Sequence, residues 1–515
     1  MEKPTVPPSS LSLRHPRRLL LAGLSLGIAF DALFNGRPLG TNVPLFALLL
    51  LAGLALTLGW ERIRPLVGNL WLPLALLFFA AMVAVRDNGF LTFLNVCACL
   101  MLLGLIAIYL AQQRADAMGL ASLVLAPIQA VAGALGRGGR VITQEARPLA
   151  AARGPARRQA VQVLRGLLLA IPVLLVFAAL LASADLIFAE RIRQVFGPDL
   201  LKTVGRWAGH IVLAAIAGLT LAGGLAYAVR QRRADWVDSI SSVRTPRIAG
   251  ITETSVVIGA VNVLFFLFVL IQIPYLFGGQ VNVVAGKFTY AEYARRGFGE
   301  LVAVAILVLG LLVVLRGLVP RESRAQRLAF NVPATILLGL TCVMLASAFK
   351  RLLLYEAAYG FTQMRIYPHV FMVWLAALLA WLAACLWLRR DLLAAGMLVA
   401  ALGFVGTLDV LNPDAFLVRE NLQMALSRQL EPDPRERFVD AYYFDGLSAD
   451  AVPELLIAAT RLTDRRGDEI EKGLLRRLET LKTGTKWRQW PSFNLARDRA
   501  YRLLVERFDG TDQSE

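Results

Sequence analysis

The sequence is poor in charged residues, cysteine and histidine for its length. Only 18% of its 515 residues are charged, whereas soluble domains contain about 25%. This shortage excludes an ordinary soluble protein, a coiled coil and an intrinsically disordered chain. The four cysteines all lie in apolar runs, so no disulfide framework or zinc site is expected. The three histidines lie far apart, and we expect neither a metal site nor a cofactor.

Several motifs that mark common enzymes and nucleic-acid binders are missing. The chain has no G-x-x-x-x-G-K-[ST] nucleotide loop, no H-E-x-x-H zinc helix and no C-x-x-C pair. Its net charge of +17 is not arranged as a basic stripe interleaved with aromatic residues, so we expect no nucleic-acid partner. Whether the protein is an enzyme stays open, and the absences favour a non-catalytic one.

Long uncharged runs are abundant. Hydrophobic residues make up 57% of the chain, in runs of about 18–25 residues that suffice to cross about 30 Å of hydrocarbon. We predict an all-α polytopic transmembrane helix bundle over residues 1–411 and a C-terminal helical tail over 412–515. The bundle is expected to have about eleven spans, near 19–35, 42–60, 69–86, 89–111, 163–184, 208–229, 254–277, 298–317, 328–349, 368–388 and 391–411.

The orientation depends on the apolar segment 117–136. If this segment lies at the membrane surface, 25 of the 37 Lys and Arg residues before residue 412 face the cytoplasm. If it spans the membrane, that bias disappears. We therefore interpret 115–160 as a cytoplasmic interfacial helix followed by an Arg-rich loop. The N-terminus is then cytoplasmic and the tail extracytoplasmic.

The tail differs from the bundle in charge and in periodicity. Residues 412–515 carry 17 Lys and Arg against 19 Asp and Glu, so the positive charge belongs to the bundle. Apolar residues at helical spacing predict tail helices near 415–430, 466–482 and 494–508. Another is expected after Ser448, which is placed to cap it, with Asp450 near its positive end. We expect four residues to couple the tail to the bundle: Asn412, Asp414, Arg419 and Asn421.

Two polar clusters are candidates for a ligand site on the outer face. In the first, Thr289 and Glu292 form a capping box, and one helix face then presents acidic and basic side chains. Its members are Tyr290, Glu292, Tyr293, Arg295, Arg296 and Glu300. The functional interpretation is an anionic ligand or lipid headgroup held by guanidinium groups. The alternative is a self-paired stripe at the membrane surface.

The second cluster follows the predicted span 328–349. We expect its side chains to share one face of an extended helix, or to lie beside that face: Arg351, Tyr355, Glu356, Tyr359, Thr362 and Arg365. A guanidinium grouped with phenols and a carboxylate suits an anionic ligand. Tyrosines also serve as simple membrane-surface anchors, and the sequence leaves both interpretations open.

A third set consists of polar residues inside or at the ends of spans, where burial is costly. Its members are Asp31, Asp185, Glu253, Gln272 and Asp409. For the aspartates, helix capping or pairing with Arg37, Arg191 or Arg351 is the favoured explanation. Gln272 is expected to bond to a neighbouring helix beside the kink at Pro274.

Several of these motifs together resemble bacterial multi-pass membrane families catalogued as domains of unknown function 4153 and 4173. The resemblance rests on FVLIQIPYLFGG from Phe268, TYAEYARRGFGEL from Thr289, RLLLYEAAYGFTQMR from Arg351, Asn412-Pro413-Asp414, and Leu447 to Pro453. Gly40-Thr41-Asn42 after Asp31, and Ala184-Asp185 before Phe188, fit the same pattern. It implies a multi-spanning plasma-membrane protein and supplies no catalytic residues.

Three functions remain as hypotheses. The first is a non-catalytic binding, sensing or envelope-associated protein whose outer-face site takes an anionic or lipid ligand, with the tail packed over it. The second is a membrane enzyme on a lipid-linked or envelope substrate, with Glu292, Glu300 or Glu356 as acid or base. The third is a secondary transporter, although no repeated half is evident. The expected partners are the bilayer and an anionic lipid or envelope component.

Overall fold

The computed structural model describes residues 16–58, 69–112, parts of 209–225, 251–277, 298–319, 323–388, 392–428 and 440–509. Every regular element within these ranges is a helix. Five of the helices are long and apolar enough to cross a membrane, and shorter apolar helices accompany them. The described part of the chain is therefore all-helical and contains five candidate membrane-spanning helices. The predicted number of about eleven spans is not established, since 163–184 lies outside the described residues.

The first part of the bundle consists of α1 (Pro16–Phe34), α2 (Asn42–Leu58), α3 (Trp71–Val85) and α4 (Gly89–Gln112). Each helix packs against the next, as short connections between antiparallel neighbours favour. Helix α1 also packs on the helical residues described within 209–225. Gly23 and Gly27 permit this approach, because a Cβ on Gly27 would lie 2.3 Å from the Ala214 carbonyl oxygen.

The second part contains α5 (Ile251–Phe277), α6 (Phe298–Leu318), α7 (Arg324–Tyr359), α8 (Gln363–Trp387) and α9 (Leu393–Leu411). Leu, Val and Ala side chains from these five helices form one continuous apolar cluster. Helix α9 also contributes Leu398 and Val405 to a second cluster with α2, α3 and α4. It thus joins the two parts of the bundle and brings its last turn close to α4.

Proline inside α7 is accommodated by a neighbouring helix. Pro333 has no N–H, so the carbonyl four residues earlier, on Ala329, loses its helical hydrogen bond. The Ser255 hydroxyl of α5 donates to that oxygen at 3.3 Å, and Asn262 of α5 donates to the Pro333 carbonyl at 2.9 Å. Satisfying freed carbonyls from an adjacent helix is what allows proline in a membrane-spanning segment.

The tail begins immediately after α9. Asn412 adopts a left-handed conformation (φ 53°) and ends α9, and Pro413 then starts α10 (Pro413–Arg428). The remaining helices are α11 (Ala441–Asp445), α12 (Val452–Arg461), α13 (Arg465–Thr483) and α14 (Leu495–Phe508), with short 3₁₀ turns between them. They bury their own apolar cluster, to which Ile366 of α8 also contributes.

The sequence located these tail helices well. The observed bounds of α10, α13 and α14 lie within two residues of the predicted ranges. In the bundle, α2, α4, α6 and α9 also start or end within two residues of the predicted spans, whereas α7 continues ten residues beyond its predicted end at 349. One local prediction was wrong. Ser448 makes no side-chain cap, and a 3₁₀ turn at Ala449–Ala451 separates it from α12.

Candidate functional site

The tail meets the bundle at a buried polar cluster, which we call the junction. It comprises the turn Arg86–Asn88 between α3 and α4, Asp414 at the start of α10, the segment Ser448–Asp450, and the segment Asn494–Arg497. Residues 86–88 are charged or polar and interrupt the apolar sequence between α3 and α4. Their side chains and backbone groups form hydrogen bonds with the tail. Asn88 also caps α4, since its side-chain oxygen accepts from the Phe90 and Leu91 N–H groups.

Asp414 is the centre of the junction. Asp414 is 1% exposed, and its two carboxylate oxygens accept hydrogen bonds from three parts of the chain. Asn88 donates at 3.1 and 3.2 Å, Gln363 donates from its side chain at 2.5 Å, and Ser448 donates from both backbone and hydroxyl. A buried carboxylate is tolerated when donors saturate it in this way.

Asp87, in the α3–α4 turn, also accepts hydrogen bonds from the tail. One oxygen of its carboxylate accepts from Arg497 Nε at 2.5 Å and the other from the Ala449 N–H at 3.1 Å. The Asp87 N–H in turn donates to Asp450 at 2.6 Å. Asn494 of the tail donates to the carbonyls of Val83 and Arg86, which end α3. The tail therefore completes the hydrogen bonds of the α3–α4 turn.

A second contact ties the tail to the loop between α1 and α2. Thr41 donates from its N–H to the Phe493 carbonyl at 2.9 Å and from its hydroxyl to the Trp490 carbonyl. Gly40 permits this approach, because a Cβ there would lie 2.4 Å from the Phe493 carbonyl oxygen. Asn42, which is fully buried, holds the loop by donating to the Leu33 and Pro38 carbonyls. The Gly40-Thr41-Asn42 motif thus shapes a docking surface for the tail.

Burial shifts the titration of several groups on the tail side of the junction. Burial raises the pKa of Asp450, and the Asp87 N–H and the Arg86 guanidinium oppose that rise. Burial also raises the pKa of Tyr443 and lowers the pKa of Arg477. The Arg477 guanidinium donates to the carbonyls of Asp445, Leu447 and Ser448, so it orders the segment that carries Asp450.

The predicted cluster after span 328–349 assembles only in part. Arg365 lies over the Tyr355 ring at 4.2 Å and donates from Nη1 to the Tyr359 and Gly360 carbonyls, and the two tyrosine rings are 5.0 Å apart. Helix α7 ends at Tyr359, because Gly360 turns the chain at φ 76°. Thr362 therefore lies at the start of α8 and not on the face of α7 where it was predicted.

The α7–α8 turn connects this cluster with the junction. Phe361 and the Asn421 side chain of α10 exchange two hydrogen bonds, at 2.7 and 2.9 Å. The Gln363 N–H donates to the Tyr443 hydroxyl of the tail, and the Gln363 side chain donates to Asp414. Of the four predicted coupling residues, Asp414 and Asn421 make these contacts, Asn412 forms the turn, and Arg419 is exposed beside Phe416 and Glu420.

Glu356, the remaining carboxylate of the predicted cluster, faces away from the tyrosines. It is 1% exposed and pairs with His369 of α8, with Oε1 and Nδ1 3.0 Å apart. Phe349 packs edge-on against the His369 ring. The second Glu356 oxygen and His369 Nε2 are buried and have no hydrogen-bond partner among the described residues. A carboxylate in this position holds an imidazole in a fixed orientation.

Two predicted span-end aspartates have partners that the sequence did not suggest. Asp31 accepts from Asn35 at 2.8 Å and lies 2.7 Å from His210 Nδ1, whereas Arg37 donates to the Ala32 carbonyl. Asp409, in the last turn of α9, is fully buried and accepts from the side chain of Asn95 on α4 at 2.8 Å. The expected pairing of these aspartates with Arg37 or Arg351 is replaced by amide and imidazole contacts.

The remaining predicted site residues either lie in α5 and α6 or fall outside the described residues. Glu300 is an exposed residue in the first turn of α6, and Glu253 and Gln272 lie in α5. The predictions for the following residues fall outside the described part of the chain: Asp185, Arg191, Tyr290, Glu292, Tyr293, Arg295 and Arg296. Within the described residues, no three His, Cys, Asp or Glu side chains are placed to hold a metal ion.

One enzyme-like spacing in the sequence has a structural explanation. Gly23-Leu-Ser25-Leu-Gly27 matches G-x-S-x-G, which marks a nucleophile when it forms a strand-to-helix turn. Here it lies in the middle of α1, where both glycines pack on residues 214–222 and Ser25 is exposed. The spacing therefore serves helix packing in this protein.

The predicted spans 69–86 and 89–111 imply the turn itself, but the contacts of Arg86–Asn88, Asn95, Asn494 and Arg497 were not predicted. A charged tripeptide between two apolar runs was the available signal for the turn, since such residues end spans at the membrane surface. Asn95 inside an apolar run was a signal of the same kind. Nothing local distinguishes Arg497 from the other arginines of the tail.

Comparison with known proteins identifies one family. A family model described as "Domain of unknown function (DUF4153)" matches residues 74–457. The match begins in α3, contains the Arg86–Asn88 turn, Asp414 and Ser448–Asp450, and ends in α12. The resemblance to domain of unknown function 4173 remains an expectation. No curated protein sequence and no solved structure matches the chain.

Proposed function

The chain belongs to the family described as domain of unknown function DUF4153, and we propose that it is a non-catalytic membrane protein for binding and sensing, whose tail responds to a ligand at the α7–α8 turn. The observation that carries this proposal is the position of Gln363. Gln363 lies between Tyr359 and Arg365 in the sequence. It bonds both to Tyr443 of the tail and to Asp414 of the junction.

The chemistry of the cluster defines the ligand class. The hydrogen bonds that Arg365 makes to described residues all come from Nη1, so Nε and Nη2 remain available to an anion. A guanidinium group binds phosphate or carboxylate through two parallel hydrogen bonds. Tyr355 and Tyr359 beside it are residues that membrane surfaces favour. We therefore propose an anionic lipid headgroup or a related envelope component as the ligand.

The test uses the full-length protein in phosphatidylcholine nanodiscs, with phosphatidylglycerol as the probe. Increasing phosphatidylglycerol should slow hydrogen exchange in residues 440–451 of the wild type. Arg365→Gln should weaken this response roughly tenfold or more, because it removes a charge-assisted hydrogen bond to phosphate. Arg461→Gln alters an exposed arginine of the tail and should leave the response unchanged.

Two further results decide the proposal. Asn421→Ala removes the bridge from Phe361 to α10, so it should retain phosphatidylglycerol binding while reducing the tail response. An Arg365→Gln protein that responds like the wild type would refute the proposed site. Titration with inorganic phosphate distinguishes a free anion from a lipid headgroup, since only a lipid site ignores it.

A membrane enzyme is the second candidate, and the Glu356–His369 pair is the observation that favours it. Carboxylate–imidazole pairs orient the histidine for acid–base catalysis in many enzymes. This candidate predicts that Glu356→Gln reproduces the cellular phenotype of gene deletion. Retention of function in Glu356→Gln together with its loss in Arg365→Gln would favour the binding protein.

We further propose that the protein lies in the bacterial plasma membrane with its tail outside the cytoplasm. The distribution of Lys and Arg supports this orientation. A pair of topology reporters fused after Glu515, one active only in the cytoplasm and one only outside it, tests the proposal. Activity of the cytoplasmic reporter would reverse the orientation and direct the ligand search to cytosolic anions.

A further inference from the structure

Asp409 and Asn95 form a pair that is incomplete as an ionised carboxylate and an amide. Asn95 Nδ2 donates to Asp409 Oδ1 at 2.8 Å. The other oxygen of each side chain, Asn95 Oδ1 and Asp409 Oδ2, accepts no hydrogen bond from any described residue. Both residues are 0% exposed and lie in helices that can cross a membrane. The two buried oxygens, Asn95 Oδ1 and Asp409 Oδ2, are both hydrogen-bond acceptors. Leaving them without a donor is costly.

A single proton satisfies both of them. With hydrogen on Asp409 Oδ2, the carboxyl group donates to Asn95 Oδ1 while it accepts from Nδ2, and the two groups close a ring of two hydrogen bonds. If the amide were turned over, two acceptor oxygens would face each other, and that arrangement also needs a proton. We propose that Asp409, paired with Asn95, is a proton-binding site inside the helical bundle.

A metal cation fits this position less well than a proton. Cations such as Mg²⁺ and Ca²⁺ take six or more oxygen ligands, and the pair offers two free oxygens. The described residues contain no group of three metal-ligating side chains at this position. The pair also contrasts with Asp414, where hydrogen bonds from Asn88, Gln363 and Ser448 compensate a full negative charge.

The charged groups that act on Asp409 among the described residues are Arg86 and Asp450, and the Cys99 thiol lies one helical turn from Asn95. Arg86 donates from Nε to the Asp409 backbone carbonyl at 2.8 Å, and its Nη1 lies 3.4 Å from Asp450. With Asp409 neutral, Asp450 is the carboxylate that pairs with Arg86 among the described residues. Loss of the Asp409 proton creates a second carboxylate that competes for the same guanidinium.

The proton on Asp409 therefore controls how firmly Arg86 holds Asp450, and through it the tail. When the proton leaves Oδ2 for solvent, the charge attracts Arg86 toward α9 and weakens the contact with Asp450. The site connects proton activity to the junction, independently of any ligand at Arg365. Asp409 is not part of the proposed ligand site, so its role in proton binding is separate from ligand binding.

Infrared spectroscopy of the full-length protein in nanodiscs tests the site directly. A protonated carboxyl group absorbs apart from carboxylates, and ordinary carboxyl groups with pKa values of about 4 are ionised at neutral pH. We expect the wild type to show a protonated carboxyl band at pH 7 that Asp409→Asn lacks. Asn replaces the O–H with an N–H and keeps the ring of hydrogen bonds, so this variant should fold.

Glu356→Gln is the matched control, because it neutralises another buried carboxyl of the bundle, and it should retain the Asp409 band. A band that is unchanged in Asp409→Asn overturns the proposal. A band that disappears when sodium replaces potassium in the buffer also overturns it, since the occupant is then a cation.

The consequence for the tail has its own measurement. Hydrogen exchange in residues 448–452 of the wild type should accelerate severalfold above the pH at which the infrared band is lost. Asp409→Asn should show no such acceleration, because its side chain cannot ionise, although Asp450 is still present. Equal acceleration in both proteins would separate Asp409 from the tail and refute the control of Arg86.

Discussion

The junction and the interior of the bundle both bury carboxyl groups, yet they stabilise them differently. At the junction, Asp414 and Asp87 receive hydrogen bonds from several segments that lie far apart in the sequence. In the bundle, Asp409 and Glu356 each have one polar side-chain partner among the described residues, and their second oxygens have none there. Asp409 and Asp414 are only five positions apart in the sequence, so the difference arises from their surroundings in the fold.

The two kinds of carboxyl group are expected to affect different properties of the protein. A carboxylate that accepts several hydrogen bonds contributes to stability, because its removal leaves several buried donors without an acceptor. A carboxyl group with one partner contributes less to structure, and its protonation state is free to respond to its surroundings. Substitutions at the junction should therefore affect stability, whereas substitutions in the bundle should affect the response to pH.

The largest effect is expected for Asp414→Ala. The change leaves donors on Asn88, Gln363 and Ser448 buried without an acceptor, and the tail should lose about 3–5 kcal/mol of stability against the bundle. Urea-dependent proteolysis of the tail measures this loss. Glu479→Ala changes an exposed acidic residue of α13 and should stay within about 0.5 kcal/mol of wild type. Equal stability of the two variants would show that Asp414 does not hold the tail.

A smaller effect is expected for Gly40→Ala. The new Cβ would lie 2.4–2.6 Å from backbone atoms of Ser492 and Phe493, which cannot move without shifting the tail. Overpacking of this kind costs about 1–3 kcal/mol. In Gly89→Ala the Cβ meets no atom within 4 Å, so this variant is the matched control. The same proteolysis assay applies, and a neutral Gly40→Ala would mean that the tail does not rest on the α1–α2 loop.

The smallest effect concerns the pH dependence of Asp450. Burial raises its pKa in the folded protein above the ordinary value of 3.8, so folding favours the protonated form. The resulting contribution to stability is complete below 3.8 and is lost as the pH rises through the folded pKa. The stability of wild type relative to Asp450→Asn should therefore fall with rising pH in this window, as measured by urea denaturation. A difference that rises with pH would contradict the assigned shift.

Arg86 sharpens this prediction, because its guanidinium opposes the effect of burial on Asp450. Removing that charge in Arg86→Gln should extend the pH window to higher values. Asp464 provides an internal contrast of opposite sign. Its pKa is lowered, mainly by the hydrogen bond from Arg466, so its contribution is present above 3.8 and is lost as the pH falls.

Much of the local structure was predictable, while few polar contacts were. The helices of the tail and most spans follow from apolar periodicity and from turn residues such as Asn412 and Pro413, because these signals act over a few residues. The placement of Tyr355 and Tyr359 on one helix face follows from their spacing, whereas the contact of Arg365 with Tyr355 depends on the turn at Gly360. The end of α7 at Gly360 was not recognised, and Thr362 was consequently placed on the wrong helix.

The sequence by itself determined a helical membrane protein with a tail of different composition, because hydrophobicity and helical period are properties of short segments. Only the tertiary structure decided which polar groups meet. Asp87 bonds to Arg497, 410 residues away, and Asn95 bonds to Asp409, 314 residues away. Such partners depend on the order in which the helices pack, and apolar faces of similar composition do not specify that order. The junction and the proton-binding pair are both consequences of that packing.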